Sequence, residues 1–333
     1  MKTALVTGSS GFIGYFTALA LLNAGWRVVG LDCMSDYYDV TLKERRQSML
    51  NQHANFSVIN NRLETPGTLM DLFKKHRLDA VIHLAAQAGV RHSIDAPRSY
   101  VEANLIGTFE LLEAARAYPP AHMLLASTSS VYGANTEMPY AETDKVDTQM
   151  SFYAATKKAT ENMAHSYAHL YDLPITMFRF FTVYGPWGRP DMAHFLFTRA
   201  ILNGDPIDIY NYGEMQRDFT YIDDLVASIL ALIDAVPNPA TPVENDSLSA
   251  VAPFRVVNIG NGTPIKLMDY ITAIEGACGR EAIKTYHDMQ PGDVPATWAD
   301  ATLLHNLTGQ RPVTPIATGL QHFVDWYRDY YKI

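Results

Sequence analysis

Tyr153 and Lys157 are spaced for proton chemistry. They stand four apart in a segment of helical periodicity, so both side chains leave one helix face toward the same space. A free phenol titrates at about 10 and is a poor base at neutral pH, but a neighbouring ammonium favours the phenolate. Tyr153 would then serve as a general base toward a substrate hydroxyl. Thr128, three residues before Val131 and at the end of an apolar run, is set to hydrogen-bond the same oxygen and the ketone that replaces it.

A carbinol that becomes a ketone must also give up a hydride, and the start of the chain offers a place for an acceptor. The run Ala4-Leu5-Val6-Thr7 feeds into Gly8-Ser9-Ser10-Gly11-Phe12-Ile13-Gly14 and then a helical pattern. Glycines there let backbone approach a pyrophosphate at a helix N-terminus. A second strand ends at Asp32, about 20 residues on, where a carboxylate accepts from adenosine ribose hydroxyls and repels the extra phosphate of NADP. The expected cofactor is therefore NAD, with Lys157 also bonded to its nicotinamide ribose and the positive ring adding to the activation of Tyr153. An isolated Tyr-x-x-x-Lys is common by chance; its register after a glycine-rich turn and a Ser/Thr-rich strand end gives it weight.

The elements that must hold these groups follow a βαβ rhythm. Ala4 to Thr7, Arg27 to Leu31, Asn55 to Ile59, Ala80 to Leu84, Met123 to Ala126 and Ile175 to Phe180 read as buried parallel strands. Phe12 to Asn23, Leu69 to Lys75, Tyr100 to Ala117 and Tyr153 to His169 read as helices between them. The fold class expected is α/β: a doubly wound Rossmann sheet over residues 1–185, with a smaller α+β lobe over 186–333 and an interleaved boundary. In the second part Ile207 to Tyr210 and Val256 to Ile259 read as strands, and Phe195 to Leu202, Asp223 to Asp234 and Leu267 to Ala277 as helices. The stretch Val236 to Pro253 reads as a long surface loop.

Composition narrows the function. With 333 residues and a net charge of −9, the chain lacks the basic face that nucleic acid or an anionic membrane needs, so neither is expected as a partner. Cys33 and Cys278 are too few for a disulfide framework and have no metal-ligand spacing, so no metal is expected. No uninterrupted apolar segment approaches about 18 residues, and a cytoplasmic enzyme is expected.

The sequence resembles the extended short-chain dehydrogenase/reductase superfamily through Thr7 to Gly14, His83-Leu84-Ala85-Ala86, Asn104, Ser127 to Gly133, and Tyr153-x-x-x-Lys157. By that resemblance Gly8, Gly11, Phe12, Ile13, Gly14, Asp32, Leu84, Ala85, Ala86 and Asn104 join Tyr153 and Lys157 around NAD. The resemblance also implies a homodimer through the Tyr100 to Ala117 and Tyr153 to His169 helices. Small residues at Ala85-Ala86 make physical sense, because a flat ring must lie on the backbone. His83, at a strand end, is read as structural.

Four further stretches resemble the nucleotide-sugar 4-epimerases that act on UDP-glucuronate: Asp36 to Lys43, Phe180 to Ala193, Gln216 to Asp224, and Gln290 to Pro295. The resemblance implies that Arg217 binds the UDP phosphates and Asp293 lies near the uridine ribose. Ser129, Ser130, Thr182 and Arg189 would surround the sugar and its carboxylate. Trp187 and Phe195 are read as lobe packing. UDP-glucuronate decarboxylases carry Glu where this chain has Ser130, and 4,6-dehydratases carry an Asp-Glu pair in place of Ser129-Ser130. Two serines supply poorly the proton that a dehydratase needs. UDP-glucose/UDP-galactose 4-epimerases are the nearest rival, with a UDP-glucuronate decarboxylase or a non-catalytic NAD-binding module the remaining alternatives. The expected reaction is 4-epimerisation of UDP-glucuronate to UDP-galacturonate through a 4-keto sugar.

Overall fold

The computed structural model describes residues 1–290 and 293–333. Among the described residues the strands, in chain order, are β1 Thr3–Thr7, β2 Arg27–Asp32, β3 Phe56–Asn60, β4 Ala80–His83, β5 His122–Thr128, β6 Ile175–Phe180, β7 Thr182–Tyr184, β8 Pro206–Tyr210, β9 Gln216–Tyr221, β10 Phe254–Ile259, β11 Pro264–Lys266, β12 Ile283–His287 and β13 Ala296–Thr297. Seven form a parallel sheet in the order β10-β6-β5-β4-β1-β2-β3.

Apart from the edge strand β3, the strands are buried on both faces, which is why they read as mostly apolar runs. Ala4, Val6, Val28, Ala80, Ile82, Leu124 and Phe178 point to one core, and Leu5, Val29, Val81, Met123, Leu125 and Met177 to the other. This is the two-residue alternation of a strand with a helical layer on each side. Phe12–Asn23 and Ile222–Asp234 pack together on the first face; Thr68–Lys75, Gly107–Ala117 and Phe152–Tyr171 cover the second. Among the described residues no helix is long and apolar enough to cross a membrane.

Residues 254–259 differ from the sequence expectation. They form the seventh strand of the large sheet, paired with β6 from Phe254↔Ile175 to Ile259↔Phe180, rather than a strand of the smaller lobe. Strand partners are a long-range property that local alternation does not encode. The smaller lobe contains β9, flanked by β11 and β13 and joined by β7, with a separate β8–β12 pair. Val236 to Pro253 contains no strand or helix.

Two longer helices were not anticipated, nor were the short ones at His92–Asp95, Pro97–Tyr100 and Thr302–Thr308. Val40–Leu50 turns Lys43 and Arg46 inward beside Leu42 and Leu50, so its buried face is half basic and shows no apolar stripe. Ile316–Tyr331 buries Leu320, Phe323, Val324 and Tyr327. Its aromatic rings surround Phe195, and Trp326 and Tyr330 each lie 5.2 Å from the ring of Trp187.

Candidate active site

Thr7, Asp32, His83 and Thr128 all close their strands at the C-terminal edge of the sheet, where crossover geometry leaves a crevice. The first turn after β1 is built from backbone. Gly8 adopts φ +70°, and a Cβ there would stand 2.9 Å from the Ala85 nitrogen; a Cβ on Gly14 would stand 1.9 Å from the Gly8 carbonyl oxygen. Gly11 N–H donates to the Gly8 carbonyl at 2.9 Å. Gly11 also begins the Phe12–Asn23 helix with no side-chain cap and no acid in the first turn, so the leading amides face outward unanswered. The Phe12 side chain lies in the core and Ile13 is half-buried, which leaves their amides as the groups toward the crevice.

The neighbouring turn after β4 is pinned from below. Thr7 Oγ1 accepts from the Leu84 and Ala85 amides, both at 3.1 Å, and lies 2.8 Å from His83 Nδ1. Burial pushes the His83 imidazole down to about 3, with the Lys157 charge acting in the same direction, so the ring is a neutral bracket reaching Thr108 on its other side. Asn104 is buried in a π-type turn, Val101–Ile106. It accepts from Gln87 N–H at 2.8 Å and donates to the Gln87 carbonyl and to Thr156 Oγ1. All three bonds go to protein, so Asn104 acts on the crevice through the turn it fixes. Asp32 accepts from the amides of Ser10 and Met34, each at 2.9 Å.

Tyr153 and Lys157 lie on the Phe152–Tyr171 helix, which Ser151 caps by accepting from Ala154 N–H. Burial lifts the Tyr153 phenol above its ordinary value, while a hydrogen bond from Thr128 and the charge of Arg189 pull it back. Lys157 is 3% exposed, and burial lowers its ammonium to about 8 against the opposing pull of Glu161. Among the described residues nothing accepts a hydrogen bond from its Nζ. Beneath it, Glu161 accepts from Ser127 Oγ at 2.6 Å, from Arg179 Nε and Nη2 at 2.9 Å, and from Lys158 at 3.2 Å. Sequence reasoning missed this anchor, although Glu161 follows Lys157 by one helical turn.

Ser129 and Ser130 open a tight turn after β5 in which Thr128 Oγ1 accepts from Ser130 N–H at 3.2 Å. Thr128 pairs with Phe180 across β5 and β6, so Thr182 emerges two residues further along the same edge. Arg189 donates from Nε and Nη2 to both oxygens of Asp191. Arg217 is half-buried, with its pKa lowered by burial against the pull of Asp293, and donates to the Pro295 carbonyl at 3.2 Å. Asp293 pairs with Arg91 at 3.1 Å. Of the Gln290 to Pro295 stretch, Pro291 and Gly292 lie outside the described residues.

Arg46 also escaped the sequence reading. It is fully buried with no carboxylate partner among the described residues. Nη1 donates to the Ser10 carbonyl at 3.1 Å and to the Tyr38 hydroxyl, and Nη2 to the Trp187 carbonyl at 2.6 Å and that of Gly188. The guanidinium thus joins the glycine turn to the turn that carries Arg189.

The features fit a dinucleotide: a turn packed so closely on itself that Gly8 and Gly14 admit no Cβ, free first-turn amides, and a buried ammonium without a partner among the described residues beside a phenol. The NAD dependent epimerase/dehydratase family model matches residues 4–245. A protein of Rhizobium meliloti described as a probable UDP-glucuronate 4-epimerase is 52% identical over 332 residues, covering 98% of this chain and 97% of that protein. UDP-glucuronate 4-epimerase 4 of Arabidopsis thaliana is 44% identical, covering 99% of this chain and 76% of its own. The crystal structure of UDP-glucuronic acid 4-epimerase from Bacillus cereus with UDP-glucuronic acid and NAD superposes with a TM-score of 0.89 at 32% identity, covering 99% of this chain and 100% of that one.

Proposed function

The chain belongs to the NAD dependent epimerase/dehydratase family, and from that premise we propose that it interconverts UDP-glucuronate and UDP-galacturonate through a 4-keto sugar. Bound NAD supplies the reversible hydride acceptor at sugar C4. Its residues are Gly8, Gly11, Phe12, Ile13, Gly14, Asp32, Leu84, Ala85, Ala86 and Asn104, with the Lys157 ammonium beside the ribose. Tyr153 takes the proton from O4 and later returns it, while Thr128 holds the same oxygen. Arg217 and Asp293 take the nucleotide. Residues 1–185 mainly serve the cofactor and 186–333 the UDP-sugar.

The observation that carries the reading is the set of neutral hydroxyls, Ser129, Ser130 and Thr182, at the edge shared with Tyr153. A 4-keto sugar with a C5 carboxylate is a β-keto acid and loses CO₂ if that carboxylate is turned out of plane and desolvated. Neutral donors hold it without repelling it, whereas an acid at 130 would repel it. Exposed Ile106, at the end of the Val101–Ile106 turn, and Phe109 and Phe152, on the Gly107–Ala117 and Phe152–Tyr171 helices, support assembly as a homodimer. A cytoplasmic setting that feeds polysaccharide assembly completes the proposal; both Cys33 and Cys278 are free thiols.

Chromatography after incubation with UDP-glucuronate, and separately with UDP-glucose, tests the reaction. We expect UDP-galacturonate from the first, with at most catalytic NAD⁺ and no build-up of reduced cofactor. A pentose released with CO₂ as main product, or equal turnover of UDP-glucose, overturns it.

A further inference from the structure

A free arginine beside a substrate carboxylate would make a two-pronged ion pair, the tightest hold such a group can meet. Arg189 is not free in that sense. Its Nε donates to Asp191 Oδ1 at 3.0 Å and its Nη2 to Oδ2 at 2.5 Å, while Nη1 has no partner among the described residues. The side chains are only 23% and 35% exposed. Burial works to raise the Asp191 pKa, but Arg189 outweighs it and the carboxyl titrates below its ordinary value.

Tyr37 fixes the pair from the other side of the crevice. Its hydroxyl donates to Asp191 Oδ2 at 3.3 Å, and its ring centroid lies 5.7 Å from Arg189 Cζ. His92 braces the ring at 4.8 Å, and a Cβ on Gly89 would stand 2.6 Å from the Tyr37 hydroxyl, so glycine there makes room for it. The pair is packed toward Tyr153: His92, which braces Tyr37, lies 6.0 Å from the Tyr100 ring, and Tyr100 lies 6.0 Å from the ring of Tyr153.

Resting on the reading of UDP-glucuronate as substrate, we propose that Asp191, held by Tyr37, is a positioning residue that cancels the charge of Arg189, leaving hydrogen-bond donors that hold the sugar carboxylate without capturing it. An epimerase must let the keto sugar turn so that hydride returns to its opposite face. A carboxylate locked to an uncompensated guanidinium would bind the starting orientation well and turn badly. Asp191 keeps the grip weak enough for that turn.

The test is Asp191→Asn in the NAD-loaded enzyme. By tightening the ground state without the transition state, it should lower KM for UDP-glucuronate by roughly three- to tenfold and lower kcat by about as much or more. Calorimetry should show tighter binding of UDP-glucuronate and unchanged binding of UDP-glucose. Asp191→Glu should restore the wild-type pattern, and Tyr37→Phe should shift it weakly in the direction of Asn. Weaker binding of both nucleotides, or a kcat loss without a KM fall, means that Asp191 only props up the loop and overturns the proposal. If Asp191→Asn does not fold, as judged by NAD binding, Tyr37→Phe decides by the same two readouts. Failure of the wild-type enzyme to form UDP-galacturonate would instead sink the functional reading, while the ratio of the two binding constants still tests Asp191.

Discussion

The cofactor side and the sugar side of the crevice are built by different means. On the first, backbone does the work: Gly8 and Gly14 stand where no Cβ fits, and bare helix amides face outward. On the second, side chains hold one another, Arg189 with its near neighbour Asp191 and that pair with the distant Tyr37, Arg91 with the distant Asp293. A cradle made of backbone cannot be adjusted, which suits a ligand that stays. Paired side chains can exchange partners, which suits one that turns and leaves.

The largest effect tests the seam between them. Tyr153→Phe should lower kcat by about 10²-fold or more while NAD and UDP-sugar binding persist, as expected for loss of a positioned acid–base group. Turnover near wild type would require another base.

A pair of variants then separates the sides. Gly8→Ala forces a left-handed residue against the Leu84–Ala85 backbone, a strain of about 1–3 kcal/mol, and should weaken NAD binding measured by fluorescence titration. Arg189→Ala should leave NAD binding intact and lower UDP-glucuronate turnover by roughly one to two orders of magnitude, with some pentose leaking out. If each variant harmed both ligands alike, the contrast between the two sides would be lost.

The smallest effect is one of stability rather than rate. Lys157 keeps its proton up to about 10.5 in an unfolded chain and releases it near 8 when folded. Between those values the unfolded chain binds more protons, so folding stability rises with pH across that window. Thermal denaturation at a series of pH values should show this rise in the wild type and its loss in Lys157→Met.

The same contrast governs what could be read from sequence. The glycine turn, Asp32 and the Tyr153–Lys157 pair lie within one or two elements each, so spacing alone reveals them. The strands β1, β2, β4, β5 and β6 are legible because burial on both faces makes them mostly apolar, whereas the edge strand β3 is largely exposed and is placed by the βαβ rhythm. Tyr37 and Asp191 are separated by 154 positions, and Arg46 reaches the Trp187 carbonyl across 141. No local period connects such partners. The Val40–Leu50 helix hid for a related reason: its inward face presents Lys43, bonded to Ser35, and Arg46, bonded across the crevice to the Trp187 turn. Arg189 was expected as a cation for the sugar, but its counter-charge two residues on was not named, because sequence shows a charge without showing what answers it.

Arg46 carries a consequence of another kind. A buried guanidinium bonded only to neutral oxygens keeps its full positive charge, and two of those oxygens belong to one half of the crevice and two to the other. Neither half can open without stranding donors in a dry interior, where each unmet bond is penalised by about 1–3 kcal/mol or more. The glycine turn and the Trp187 turn should therefore exchange their amide hydrogens with solvent as one cooperative unit rather than fray separately.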